Sequence, residues 1–195
     1  DLFHPDDGRV ENPIGAPFLL LTARILDPRK NVSMLLDAFA TISATRPDLK
    51  LVIIGDPPRA VDAAKCERLG LKDLVLFLSS RPHADLIRYY QTAELFVLPS
   101  TQEGLAISML EAMACGCAVV GTDVQGIREV IRHEETGFLV AEDPDALRVA
   151  IQRLMVDKPL RQELGLQARK QILLRNSLET ALSKEYSTYV RLEKS

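Results

Sequence analysis

What this chain lacks narrows its function first. No apolar stretch among its 195 residues approaches the ~20 that a helix needs to span a bilayer. No basic tract is present, and 24 lysines and arginines against 27 acids leave a net charge of −3. That balance argues against non-specific nucleic-acid binding, whose affinity comes from neutralising phosphates. Cysteine is scarce: Cys66, Cys115 and Cys117 give no disulfide framework and fit a reducing compartment. Cys115-Gly116-Cys117 has no second His or Cys pair beside it, so no zinc site is expected. No Gly-x-Gly-x-x-Gly follows the first apolar run, which removes the simple dinucleotide-binding dehydrogenases.

What is present is an alternation. With 47% apolar content the chain can bury one core as a single domain. Residues 1–17 carry no hydrophobic period and read as linker. Short apolar runs at 18–22, 49–54, 74–78, 95–98, 118–121 and 138–140 have the length and composition of buried strands. Between and after them lie amphipathic stretches: one with Asn31 as its expected N-cap and Val32, Leu35, Leu36, Phe39 and Ile42 as its apolar face; then 59–69, 84–91, one ending at Gly116, a short helix reaching about residue 132, 143–156, 159–174 and 178–191. Strands alternating with helices in this way predict right-handed crossovers. The fold class is therefore α/β, a Rossmann-like parallel sheet of about six strands with helices on both faces. In such sheets ligands bind outside the carboxyl ends of the strands. The loops starting at Ala23, Gly55, Ser79, Pro99 and Thr122 are thus expected on one edge.

The stretch from Ser100 to Gly116 is the most informative. A strand ended by Pro99 delivers a loop, and the loop feeds a helix whose apolar positions are expected to be Ile107, Leu110, Met113 and Ala114, with Gly116 at its end. The open N–H groups and positive dipole end of such a helix favour anions or hydroxyl acceptors. Glu103 lies in the loop and Glu111 in the helix that follows. Taken singly, the first is a loop acid and the second a surface residue. Arg24 and Lys30 lie in the first strand's loop, where a guanidinium fork and a point charge could clamp a diphosphate; otherwise this is a solvated loop with Arg29 and Asp27 as neighbours. Convergence gives these residues meaning, because strand-end geometry places Arg24, Lys30, Glu103 and Glu111 around one crevice. His4, His83 and His133 read as linker, helix-start and turn residues, none expected to be catalytic.

Pro99-Ser100, Glu103-Gly104, Glu111-Ala112-Met113-Ala114-Cys115-Gly116 and Val119-Val120 together strongly resemble the signature of the retaining group 1 glycosyltransferases, in their C-terminal, donor-binding half. Residues 23–31, 126–131 and 135–140 are similar to further blocks of that family, and Asp1 to Pro5 to its interdomain linker. The resemblance implies one half of a two-domain GT-B enzyme. Residues 18–175 would be the nucleotide-sugar-binding domain, and 176–195 a helix packing toward the other, N-terminal half. It implies that Arg24 and Lys30 hold the donor diphosphate and that Glu103 binds sugar hydroxyls, helped by backbone N–H groups of Gly104, Leu105, Ala106 and Ile107. Glu111 would accept from the ribose hydroxyls, and Ser80 and Arg81 would edge the base. The reaction implied is sugar transfer from a nucleoside-diphosphate sugar to an acceptor hydroxyl with retained configuration. No cofactor and no obligatory metal are expected. The acceptor, a glycan or lipid-linked sugar, would be read by the N-terminal half, so this chain alone is expected to be inactive. Polysaccharide, lipopolysaccharide or glycolipid synthesis in the cytoplasm, with peripheral membrane association, is the setting implied. Five positions depart from the family pattern: Ala23, Ser79, Ala106, Ala118 and Gln125 stand where glycine or, at Ala118, proline is usual. Ala106 is expected to reshape the sugar pocket. The lost glycines also motivate an alternative, a non-catalytic binding or scaffolding module that kept the fold.

Overall fold

The computed structural model describes residues 3–5, 10–23 and 25–176. Six strands run in parallel: β1 (Phe18–Ala23), β2 (Lys50–Gly55), β3 (Val75–Ser79), β4 (Leu95–Leu98), β5 (Val119–Thr122) and β6 (Phe138–Val140). Between them lie α1 (Val32–Thr45), α2 (Ala60–Arg68), α3 (His83–Thr92), α4 (Ile107–Ala114) and α5 (Gln125–Arg128), with α6 (Pro144–Val156) and α7 (Lys158–Asn176) at the end. The sheet order is β3-β2-β1-β4-β5-β6. The chain therefore winds one way from β1, returns to β4, and winds the other way. The two halves part between β1 and β4, where loops on either side diverge and open a crevice.

The strands are continuous apolar runs because both of their faces are covered. Leu19, Leu20 and Leu21 of β1, Leu51 to Ile53 of β2 and Leu95 to Val97 of β4 are fully buried. The α1 helix packs on α2 and α6, and α4 packs on α3 and α7. The apolar face expected for α1 is the one it buries.

Two local expectations need refinement. Asn31 is the N-cap residue of α1 as expected, but its side chain makes no capping hydrogen bond, and its backbone is left-handed (φ 49). A 3₁₀ turn over Pro28–Lys30 precedes it, started by Asp27, whose carboxylate accepts the Arg29 N–H. Joining that turn to α1 requires a left-handed residue, a conformation Asn tolerates better than most. In α4 the buried positions are Met109, Ala112 and Met113, while Ile107 is 57% exposed. The first turn of α4 borders the open crevice rather than the core, so Ile107 loses its apolar cover. Gly116 does end the helix as expected, with φ +76. The helix read over 178–191, and with it nearly all of the 176–195 segment, lies outside the described residues.

Candidate functional site

The crevice at the β1–β4 divide is a cleft of about 480 Å³ along the carboxyl edge of the sheet. Every strand-end loop from β1 to β4 contributes to it. Lys30 comes from the β1 loop, Gly55 from the end of β2, Ser80 and Arg81 from the β3 loop, and Glu103 to Ala106 from the β4 loop. Ile107, Ser108 and Glu111 come from α4, and His83, Leu86 and Tyr90 from α3. Thus nine of the ten residues singled out in the sequence line one cleft. Arg24, the tenth, lies outside the described residues.

The two carboxylates are not bare. Glu103 Oε1 accepts from Lys30 Nζ at 2.5 Å and from the Ser100 hydroxyl at 2.7 Å. This pair is largely shielded, with Lys30 19% and Glu103 8% exposed. Bonds to backbone carbonyls hold the loops that carry it: the Thr101 N–H donates to Arg29 O at 2.8 Å, and the buried Thr122 hydroxyl donates to Ser100 O. Glycine is required at 126, because a Cβ there would lie 2.4 Å from Glu103 O and 2.6 Å from Gly104 O. The start of α5 is therefore pressed against the loop that presents Glu103.

Glu111 is half-buried. The Tyr90 hydroxyl donates to its Oε2 at 2.8 Å, and His83 Nδ1 lies 3.0 Å from its Oε1. Arg29 forks onto Asp27 (Nε 3.0 Å, Nη2 2.6 Å), and this guanidinium holds the Asp27 carboxyl at about 2. Arg29 is thus engaged within its own loop while Lys30 reaches across the cleft.

No side-chain hydrogen bond caps α4 among the described residues, so its positive end opens on the cleft beside Glu103. The Ile107 amide donates to Leu105 O at 2.9 Å, closing a three-residue turn about Ala106 (φ −79, ψ 67). Of the four backbone amides expected to face a ligand, that of Ile107 is therefore committed within the loop. The same dihedrals suit any residue, so the backbone does not need glycine at 106.

Sequence reasoning missed three side chains. Ser100 carried only proximity as a signal, three residues from Glu103 in the same loop. Tyr90 carried none, because its helical spacing is that of an ordinary core residue. His83 opens α3, as read, and in addition lines the cleft.

An open parallel sheet with its ligand crevice at the point where strand order reverses defines a Rossmann-like α/β domain. Its relatives make the class definite. The family model of Glycosyl transferases group 1 matches residues 6–171, and the chain belongs to that family, as one Rossmann-like half of a GT-B fold. It is 35% identical over 164 residues to N-acetyl-alpha-D-glucosaminyl L-malate synthase of Bacillus anthracis, covering 82% of this chain and 42% of that one. Sucrose-phosphate synthase from Thermosynechococcus elongatus superposes with a TM-score of 0.83 at 30% identity, over 99% of this chain and 50% of that one. The C-terminal domain of the group 1 family protein LpcC from Francisella tularensis superposes with a TM-score of 0.78 at 22% identity, over 91% of this chain and 97% of that one. The chain thus spans about two fifths of the curated relatives it matches.

Proposed function

We propose that this chain is the donor-binding half of a retaining glycosyltransferase that takes a sugar from a nucleoside diphosphate and places it on an acceptor hydroxyl. One observation carries the reading: Lys30, Glu103 and Glu111, from elements far apart in sequence, line one cleft at the strand-order reversal. In this reading the diphosphate lies against Lys30, with Arg24 from the same loop, and near the open end of α4. When the bond between the anomeric carbon and the phosphate oxygen breaks, the electron pair leaves on the diphosphate. A fixed ammonium and a helix terminus stabilise that charge without reorganising, so no metal is required. Glu103, held by Lys30 and Ser100, accepts from sugar hydroxyls, and Glu111 accepts from the ribose. The base lies along Ser80 and Arg81.

The acceptor side belongs to a second, N-terminal half, and this chain alone binds donor without turning it over. A role in polysaccharide, lipopolysaccharide or glycolipid synthesis at the cytoplasmic face of a membrane fits an enzyme whose acceptor is lipid-linked. Association there is proposed to be peripheral; no described helix of this chain is long and apolar enough to cross a membrane. The scaffolding alternative is not favoured, because the cation and both carboxylates remain positioned around the cleft.

Titration calorimetry with UDP, GDP and ADP tests the reading on wild type, Glu111→Ala and Lys30→Ala. At least one nucleotide should bind wild type, with each substitution weakening it about tenfold or more. Equal binding by wild type and a Glu111→Ala/Lys30→Ala double variant would overturn the assignment.

A further inference from the structure

Tyr90 is fully buried, yet its hydroxyl reaches the cleft wall. Its ring is fixed by Phe3, edge-on at 6.1 Å between centroids, and by Phe96 at 5.9 Å. A phenylalanine would fill the same space but would lose the hydroxyl's bond to Glu111 Oε2. Phe3 also meets the His83 ring edge-on at 6.0 Å, while His83 Nδ1 stands 3.0 Å from Oε1 of the same carboxylate. Each oxygen of Glu111 therefore faces one group from α3. An ionised carboxylate has about four lone-pair sites over its two oxygens; Tyr90 takes one of them on Oε2, so both oxygens keep a site for a ligand in the cleft. Two adjacent acceptors at fixed orientation are what a vicinal diol requires.

Given the ribose-reading role proposed for Glu111, we propose that Tyr90 and His83 are its positioning residues: together they hold both carboxylate oxygens so that the site selects a ribonucleotide with both hydroxyls over its deoxy forms. Neither residue needs to touch the sugar. Their effect is on discrimination, since a carboxylate free to turn can still accept one hydroxyl but no longer two at once. Fixing such a group in advance removes an ordering cost from binding.

The test uses whichever of UDP, GDP and ADP binds the chain, together with its 2′-deoxy and 3′-deoxy forms, measured calorimetrically. Wild type should prefer the ribonucleotide about tenfold or more. Glu111→Gln should bring that ratio close to one. Tyr90→Phe should cut it about threefold or more while the deoxy forms bind within about twofold of wild type; His83→Ala should shift it in the same direction. A purely structural role would weaken all three ligands alike and leave the ratio unchanged. If Tyr90→Phe melts so low that it cannot be titrated, His83→Ala, on an exposed ring, decides the matter. If Glu111→Gln abolishes discrimination while the folded positioning variants keep the wild-type ratio, the proposal is wrong and the donor-site reading stands. If Glu111→Gln keeps the wild-type ratio, or wild type binds none of the three nucleotides, the donor-site reading falls and the proposal with it.

Discussion

Lys30 and Glu103 are 73 residues apart in sequence and yet form the shielded pair at the centre of the cleft. Removing one partner of such a pair strands the other, at a cost of about 1–3 kcal/mol where the cleft still admits water. Lys30→Met should therefore lower both stability and nucleotide affinity. Adding Glu103→Gln should restore most of the stability and none of the affinity, because the second change removes the stranded charge but does not return the cation. Urea midpoints and calorimetry on the two single variants and the double variant close that cycle; affinity that recovered with stability would show that Lys30 only braces the loop. Cys115 and Cys117 behave differently, being free and buried, with burial pushing each thiol up to about 12. In the unfolded chain these thiols ionise near 8.5. Their stabilising effect is thus complete below that pH and is lost as pH rises toward 12, by about 1.4 kcal/mol per unit for each thiol. The urea midpoint should fall more steeply between pH 8.5 and 10.5 in wild type than in a Cys115→Ala/Cys117→Ala variant. At this scale the sequence was only partly legible. Charged residues at strand ends could be assigned to one edge, but nothing marked Tyr90 as more than core, because burial and periodicity do not reveal where a hydroxyl points.

Among the elements, strands were read to within a residue, because a run buried on both faces needs no partner to declare itself. Helix faces were less secure. Ile107, Leu110, Met113 and Ala114 have helical spacing, but Ile107 borders an open cleft, and one-dimensional spacing cannot say where the core stops. Asn31 was read correctly as the N-cap position, but the sequence did not show that the preceding 3₁₀ turn would make it a left-handed joint without a side-chain cap. The junction of α5 with the β4 loop was invisible in sequence apart from the glycine itself. Its consequence is measurable. Gly126→Ala places a methyl group against two backbone carbonyls, which cannot rotate away as a side chain could. The loop must move, at about 1–3 kcal/mol, and Glu103 moves with it. Nucleotide-sugar affinity should fall further than affinity for the bare diphosphate, since Glu103 is assigned to the sugar. Gly104→Ala, where a Cβ meets nothing within 4 Å, should leave the thermal midpoint almost unchanged. Equal thermal midpoints for the two variants would show that the loop tolerates the contact.

For the molecule as a whole, loops and helices line the cleft, which among the described residues stands partly open. Leu105 and Ile107, both lining it, are 60% and 57% exposed. Apolar side chains at the mouth of a charged cleft are poorly placed unless something covers them when the site works. The chain also spans only about two fifths of its curated relatives, so the covering part can be looked for in the rest of the protein. Sugar transfer needs an acceptor hydroxyl aligned with the anomeric carbon and water kept out, and an open wall does neither. The chain alone should therefore bind a nucleoside diphosphate and release no more of it from a nucleotide sugar than buffer does, with or without added acceptor. The full-length protein should turn over under the same conditions, and Leu105→Ser should slow that turnover while leaving nucleotide affinity of the isolated chain within about twofold. Nucleotide release by the isolated chain at the full-length rate would mean that these residues already hold the whole reaction, and that the open wall is not where the acceptor half closes.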